Sequence, residues 1–138
     1  MKRISFFVHC EPVPQPRAKV STRGGFARAY VDAKHPINAY KQAIREAFQA
    51  DKLSGPLGCS LLFKFSRPKS HTKKQRQCGW HTGNSDIDNL AKAIFDALNG
   101  LAYDDDKQIA FVQAHKRWAY QGVDGKEDPG VTVTIWEL

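Results

Sequence analysis

SDIDNLAKAIFDALNGLAYDDDKQ, residues 85–108, gathers six aspartates in a 138-residue chain whose formal net charge is +7. Its pattern sets the architecture. Ile87, Leu90, Ile94, Leu98 and Leu101 recur at helical spacing and form one apolar face. Asn99-Gly100 supplies a stop signal for that helix. The Asp104-Asp105-Asp106 turn follows, and Ile109 to Tyr120 then alternates well enough to form a strand.

Working outward, Cys59 to Phe65 (CSLLFKF) reads as a strand, followed by a long polar loop to Asn84. Nothing in SRPKSHTKKQRQ can pack a core, so that loop is expected to be mobile in the free protein. Around Ile37 to Phe48, Tyr40, Ile44 and Phe48 fall four apart in an amphipathic helix, with Pro36 near its start, where proline is tolerated. Ile4 to His9 reads as a first strand and Val131 to Trp136 as a final one. Pro12, Pro14, Pro16 and Gly24-Gly25 make residues 11–30 a loop or a loose hairpin. The order β-α-β-α-β-β predicts an α/β fold, a mixed β-sheet with flanking helices, in a single domain over residues 1–138.

A chain of this length can bury a core without disulfides. Cys10, Cys59 and Cys78 are odd in number and irregular in spacing, which points to a reducing, cytoplasmic compartment. No signal peptide and no membrane span are read: the N-terminal apolar run is short, and none approaches the roughly 20 residues a bilayer requires. Cys78 and His81, with His71 nearby, lack the second ligand pair of a zinc site.

Charge is unevenly distributed. Between Glu11 and Asp32 the chain has no acid but carries Arg17, Lys19, Arg23 and Arg28. Between Asp51 and Asp86 it again has none, and Lys69, Lys73, Lys74 and Arg76 cluster there. Such segments serve either as solvated loops or as phosphate contacts.

Two readings fit the aspartates. In the first, Ser85 or Asp86 caps the helix, Ser85-x-x-Asp88 forms a capping box, Lys92 pairs with Asp88, and Asp104 to Asp106 form a turn. In the second, carboxylates hold a hard divalent cation against a phosphodiester, and Lys92 balances charge. The second explains an acidic patch on a basic protein, because bound metal ions reverse the local sign. It requires the DDD turn to fold back to the start of the helix it follows, or the next strand to begin across the helix N-terminus, so that Asp106 meets Asp86 and Asp88. Trp80 and Tyr103 flank the cluster; packing roles are favoured for both over stacking on unpaired bases.

Asp86-Ile87-Asp88-Asn89-Leu90, then Lys92, then Asp96-Ala97-Leu98, and finally Asp105-Asp106-x-Gln108 closely resemble the signature of the RusA family of Holliday junction resolvases. Glu11-Pro12-Val13-Pro14 with Arg17 and Lys19 resembles that family's N-terminal loop more loosely. Ser85 stands where members often have proline. The resemblance implies a Mg²⁺-dependent endodeoxyribonuclease, with Mn²⁺ as substitute. Such an enzyme works as a homodimer on branched DNA, above all four-way junctions, in recombination and repair at the nucleoid. It leaves 5′-phosphate and 3′-hydroxyl ends. It also implies Asp86, Asp88 and Asp106 as metal ligands and Lys92 as the catalytic lysine, with Asp105 able to share or replace the role of Asp106. Arg17, Lys19, Arg23, Arg28, Lys69, Lys73, Lys74 and Arg76 would hold junction arms. The alternatives are a nuclease of the same chemistry acting on flaps, and a non-catalytic basic DNA-binding module.

Overall fold

The structure is a computed structural model that describes residues 2–17, 19–25 and 27–138, with the side chains at 19 and 28 outside the description. Its main sheet has the strand order β1-β8-β4-β5. The central pair is β4 (Leu57–Phe65) and β8 (Gly130–Glu137), antiparallel to each other. Strand β1 (Arg3–Val8) lies antiparallel on the far side of β8, and β5 (Ile109–Trp118) lies parallel to β4. The sheet is therefore mixed. Helices α1 (Ile37–Ala47) and α2 (Ile87–Leu98) complete the expected β-α-β-α-β-β order. Two small hairpins are added, β2 (Lys19–Ser21) with β3 (Arg28–Tyr30), and β6 (Gln121–Gly122) with β7 (Gly125–Lys126).

Side chains along a strand alternate between faces, so one face of the sheet is apolar. Cys59, Leu61 and Phe63 of β4 stand opposite Ile135, Val133 and Val131 of β8, and all six are buried. Tyr40 and Ile44 of α1 and Leu90, Ile94 and Leu98 of α2 join them in a single core. Burying each such large apolar side chain contributes about 1.5–3 kcal/mol. This core holds α2 rigidly over the sheet.

Two expectations shift. Helix α2 ends at Leu98, leaving Leu101 in the following turn and 38% exposed. Gly100 adopts φ 77°, a left-handed turn that breaks the helix before Leu101 can join its face. The polar loop after β4 is also more ordered than its composition implies. The Arg67 guanidinium donates to the carbonyls of Gln75 and Cys78, and Arg76 donates to those of His71 and Lys69. Arginine donors thus satisfy carbonyls that no strand pairs. No helix among the described residues is long and apolar enough to cross a membrane.

Candidate active site

Helix α2 begins at an aspartate whose side chain is unused. Asp86 is the N-cap: its carbonyl accepts the Leu90 N–H at 3.0 Å, while its carboxylate makes no capping bond. The Ser85-x-x-Asp88 capping box does not form. Asp88 occupies the first turn, where the positive end of the helix favours an anion. Among the described residues neither carboxylate has a hydrogen-bond or ion-pair partner. Lys92 pairs with Asp96 at 3.6 Å rather than with Asp88. Lys41, reaching across from α1, lies 4.0 Å from the same carboxylate. Burial lowers the pKa of Lys41, partly countered by Asp96. Lys41 was not legible as a site neighbour, because only the α1–α2 packing brings it there.

The turn after α2 reverses the chain. Asn99 Oδ1 accepts the Asp106 N–H at 2.9 Å at the C-terminal end of the helix, and β5 then runs back along α2. Between helix and strand lies a cavity of about 490 Å³, lined by Ile87, Asp88, Ala91, Lys92 and Phe95 on one side and Asp106, Val112 and Ala114 on the other. The backbone of the DDD turn stays at the C-terminal end of the helix, and it is β5 that runs back along the helix flank, with Asp88 and Asp106 lining one cavity. Asp86 sits exposed beside the first residue lining this cavity.

The three consecutive aspartates have different surroundings. Asp104 pairs with Lys52 at 2.9 Å. Asp105 caps the 3-10 turn at Asp106–Gln108, its side chain accepting the Lys107 N–H while Gln108 Oε1 accepts the Asp105 N–H. Asp106 alone of the three lines the cavity.

No three His, Cys, Asp or Glu side chains among the described residues stand close enough to hold a metal ion by themselves. The donors do suit a hard divalent cation. Mg²⁺ takes oxygen ligands and commonly uses one or two carboxylates, with water and substrate phosphate completing its shell. Asp88 and Asp106 line one cavity, and among the described residues neither is tied up by a cation.

The N-terminal loop is moored to this site. The Gln15 N–H donates to the Asn89 carbonyl at 2.9 Å, fixing the N-terminal loop on the first turn of α2. Glu11 accepts from the Ser66 N–H at 2.9 Å and its hydroxyl at 2.8 Å, tying that loop to the exit of β4. Arg17, two residues past Gln15, lines a separate cavity of about 390 Å³ with Asp32, Lys34 and His35. Arg23, Lys69, Lys73, Lys74 and Arg76 are exposed, and the Arg76 guanidinium also donates to the loop carbonyls of His71 and Lys69. The side chains of Lys19 and Arg28 lie outside the described residues.

The flanking aromatics divide. Tyr103 is fully buried and its hydroxyl donates to the Phe95 carbonyl at 2.9 Å, a packing role. Trp80 is 63% exposed, so core packing does not describe it. His81 is buried between Phe65 and Trp118, with ring centroids 4.0 and 4.3 Å away. Burial, reinforced by nearby Lys116, lowers the His81 pKa and keeps the ring neutral. Cys78 donates its thiol hydrogen to the Trp80 carbonyl.

Comparison with known proteins fits this geometry. A Bacillus subtilis (strain 168) protein described as uncharacterized protein YqaN is 29% identical over 147 residues, an alignment covering 100% of this chain and 99% of that protein. Residues 9–136 match the family model described as Endodeoxyribonuclease RusA. That match spans both helices, three of the four strands of the main sheet (β4, β5 and most of β8) and the cavity between α2 and β5; the chain belongs to the RusA endodeoxyribonuclease family.

Proposed function

We propose that this chain is a divalent-metal-dependent endodeoxyribonuclease that resolves four-way DNA junctions by paired symmetric nicks, serving recombination and repair on the cytoplasmic DNA. The observation that supports this reading is the cavity that Asp88, Lys92 and Asp106 line from a helix and a turn, with the unengaged Asp86 beside it.

Asp86, Asp88 and Asp106 are the residues that would hold Mg²⁺ or Mn²⁺. A cation bound there supplies charge neutralisation at the scissile phosphate and a lowered pKa for the attacking water. The chain's own groups do the rest. The α2 N-terminus adds favourable potential for the phosphate. Asp96 restrains Lys92, which is 61% exposed, so its ammonium is held at the cavity edge to orient water or balance developing charge. Asp105 and Gln108 lock the turn that presents Asp106.

A two-fold homodimer presents two equivalent sites, as paired incision requires. Phe111, 49% exposed on edge strand β5, is apolar surface that a second copy would cover. The loops carrying Arg17 to Arg28 and Lys69 to Arg76 hold the junction arms. If they neutralise about six phosphates, log affinity falls with log salt at a slope of roughly −5.

The test incubates the protein with labelled four-way junction, flap and linear duplex, in Mg²⁺, Mn²⁺ or chelator, beside Asp88→Asn. Junctions are expected to be cut in symmetric pairs only with metal, and Asp88→Asn to bind without cutting. Binding without any cutting in either metal would leave a DNA-binding module. Single nicks confined to flaps would move the substrate class, and a strict monomer at micromolar concentration would refute paired incision.

A further inference from the structure

Strand β5 grips the loop that delivers the helix. The Trp118 N–H donates to the Gly79 carbonyl at 2.7 Å, and the His81 N–H donates to the Lys116 carbonyl at 3.2 Å, so residues 79–81 run along the outer edge of β5. His81 seats this crossing by filling the space between Phe65 and Trp118. Beyond His81, backbone pairing to β5 stops. Between it and Asp86, among the described residues, one side chain makes the hydrogen-bonded connection to β5. Lys116 Nζ donates to the Ser85 carbonyl and, at 3.5 Å, to the Gly83 carbonyl. Its side chain is half-buried, and no carboxylate lies within ion-pair reach of it among the described residues.

The placement has a consequence for the reaction. Ser85 immediately precedes Asp86, the N-cap whose carboxylate is unengaged. Ala114, two residues before Lys116 on β5, lines the same cavity as Asp88 and Asp106. One strand therefore carries Asp106 just before its start, forms the cavity wall in its middle, and near its end holds the backbone that aims Asp86 and Asp88. A helix N-terminus without a side-chain cap frays easily, since its first N–H groups have no internal partner.

We propose that Lys116 is a positioning residue for the nuclease reaction: by holding the Ser85 and Gly83 carbonyls it fixes the first turn of α2 and the direction of the Asp86 and Asp88 carboxylates. This rests on the assignment of those carboxylates to the active site. Lys116 does not touch the reacting atoms in this role. Loss of a group that orients a reactive one typically lowers activity about 10- to 100-fold.

The test compares full-length Lys116→Met, Lys116→Arg and Lys116→Gln with the wild type. Three quantities are read: kcat and KM on a four-way junction in Mg²⁺, junction binding across a salt series in chelator, and amide exchange at Leu90 in metal-free protein, whose N–H donates to the Asp86 carbonyl. For Lys116→Met, kcat is expected to fall about 10- to 100-fold, with Kd and salt slope within experimental scatter of wild type and faster exchange at Leu90. Lys116→Arg is expected to recover most of kcat, and Lys116→Gln, which retains one donor group, to fall between. If Lys116→Met does not fold, the Arg and Gln proteins carry the same comparison. Wild-type kcat in the variants overturns the proposal. So does a loss that appears wholly as weaker binding with a shallower salt slope, which would make Lys116 a phosphate contact. An Asp88→Asn protein that still cuts would instead overturn the site assignment, whatever Lys116 does.

Discussion

Glu127 is the most heavily engaged carboxylate in the structure, and replacing it by glutamine gives a sharp test of how the C-terminal end of β5 is held. Its two oxygens accept from the Arg117 guanidinium at 2.6 and 2.9 Å, from Lys64 Nζ at 3.3 Å and from the Tyr120 N–H at 2.9 Å. The Arg117 hydrogen bond, above all, pulls its pKa from the ordinary 4.5 to about 2, with the Tyr120 N–H and Lys64 adding to the effect. Folding therefore favours the ionised form. Its stabilisation is complete above the unfolded value of 4.5 and is lost as pH falls from there through about 2. At about 1.36 kcal/mol per unit the shift corresponds to roughly 3 kcal/mol before screening. Since 30% of the side chain is exposed, solvent reduces this by about half. Glu127→Gln also leaves Arg117 and the half-buried Lys64 without their anion, so the total cost at neutral pH is about 2 kcal/mol. In a domain of this size that lowers Tm by about 6–8 °C. Thermal unfolding followed by circular dichroism at pH 7 and at about pH 2.5 should show the wild-type advantage at pH 7 largely gone in acid. An equal gap at both pH values, or none at pH 7, would refute the assignment of that stability to the ionised carboxylate.

Asp106→Asn should reduce cutting at least about 100-fold with little change in stability, since several kcal/mol of charge stabilisation depend on such a ligand. Asp105→Asn should instead cost up to about 1 kcal/mol through the weakened cap while retaining activity, as read by melting and junction cleavage. Gly58→Ala should destabilise by about 1–3 kcal/mol in urea unfolding, because a Cβ there would stand 2.5–2.7 Å from the Trp136 ring. A maleimide should label exposed Cys78 readily and leave Cys59 unmodified in the native protein, since burial pushes the Cys59 thiol up to about 12; mass spectrometry after brief labelling checks this.

Much of this protein is written locally. Ile87, Leu90, Ile94 and Leu98 lie on one face of any helix they form, and the alternation in β4 and β8 dictates which residues enter the core. The D-x-D-N-L-x-K spacing likewise survives in any fold, because residues 86, 88 and 92 are joined by one helical start. Short-range patterns are legible because periodicity needs no knowledge of distant partners.

What a side chain does with its charge was decided elsewhere. Asp86 and Asp88 look like helix caps and an i,i+4 pair by spacing, yet the first is an unbonded N-cap, and Lys92 turns to Asp96, with Lys41 of α1 nearby. Three adjacent aspartates are indistinguishable in sequence. Lys52 from the segment after α1 takes Asp104, the local 3-10 turn takes Asp105, and the return of β5 along α2 leaves Asp106 lining the cavity. Lys116 shows the same limit: within β5 it is one polar residue in an alternating strand, and only the crossing of the loop at residues 79–85 brings its ammonium to the backbone ahead of Asp86. Elements follow from the periodicity of neighbouring residues, whereas these pairings depend on chain segments far apart in sequence, which meet only when the core closes.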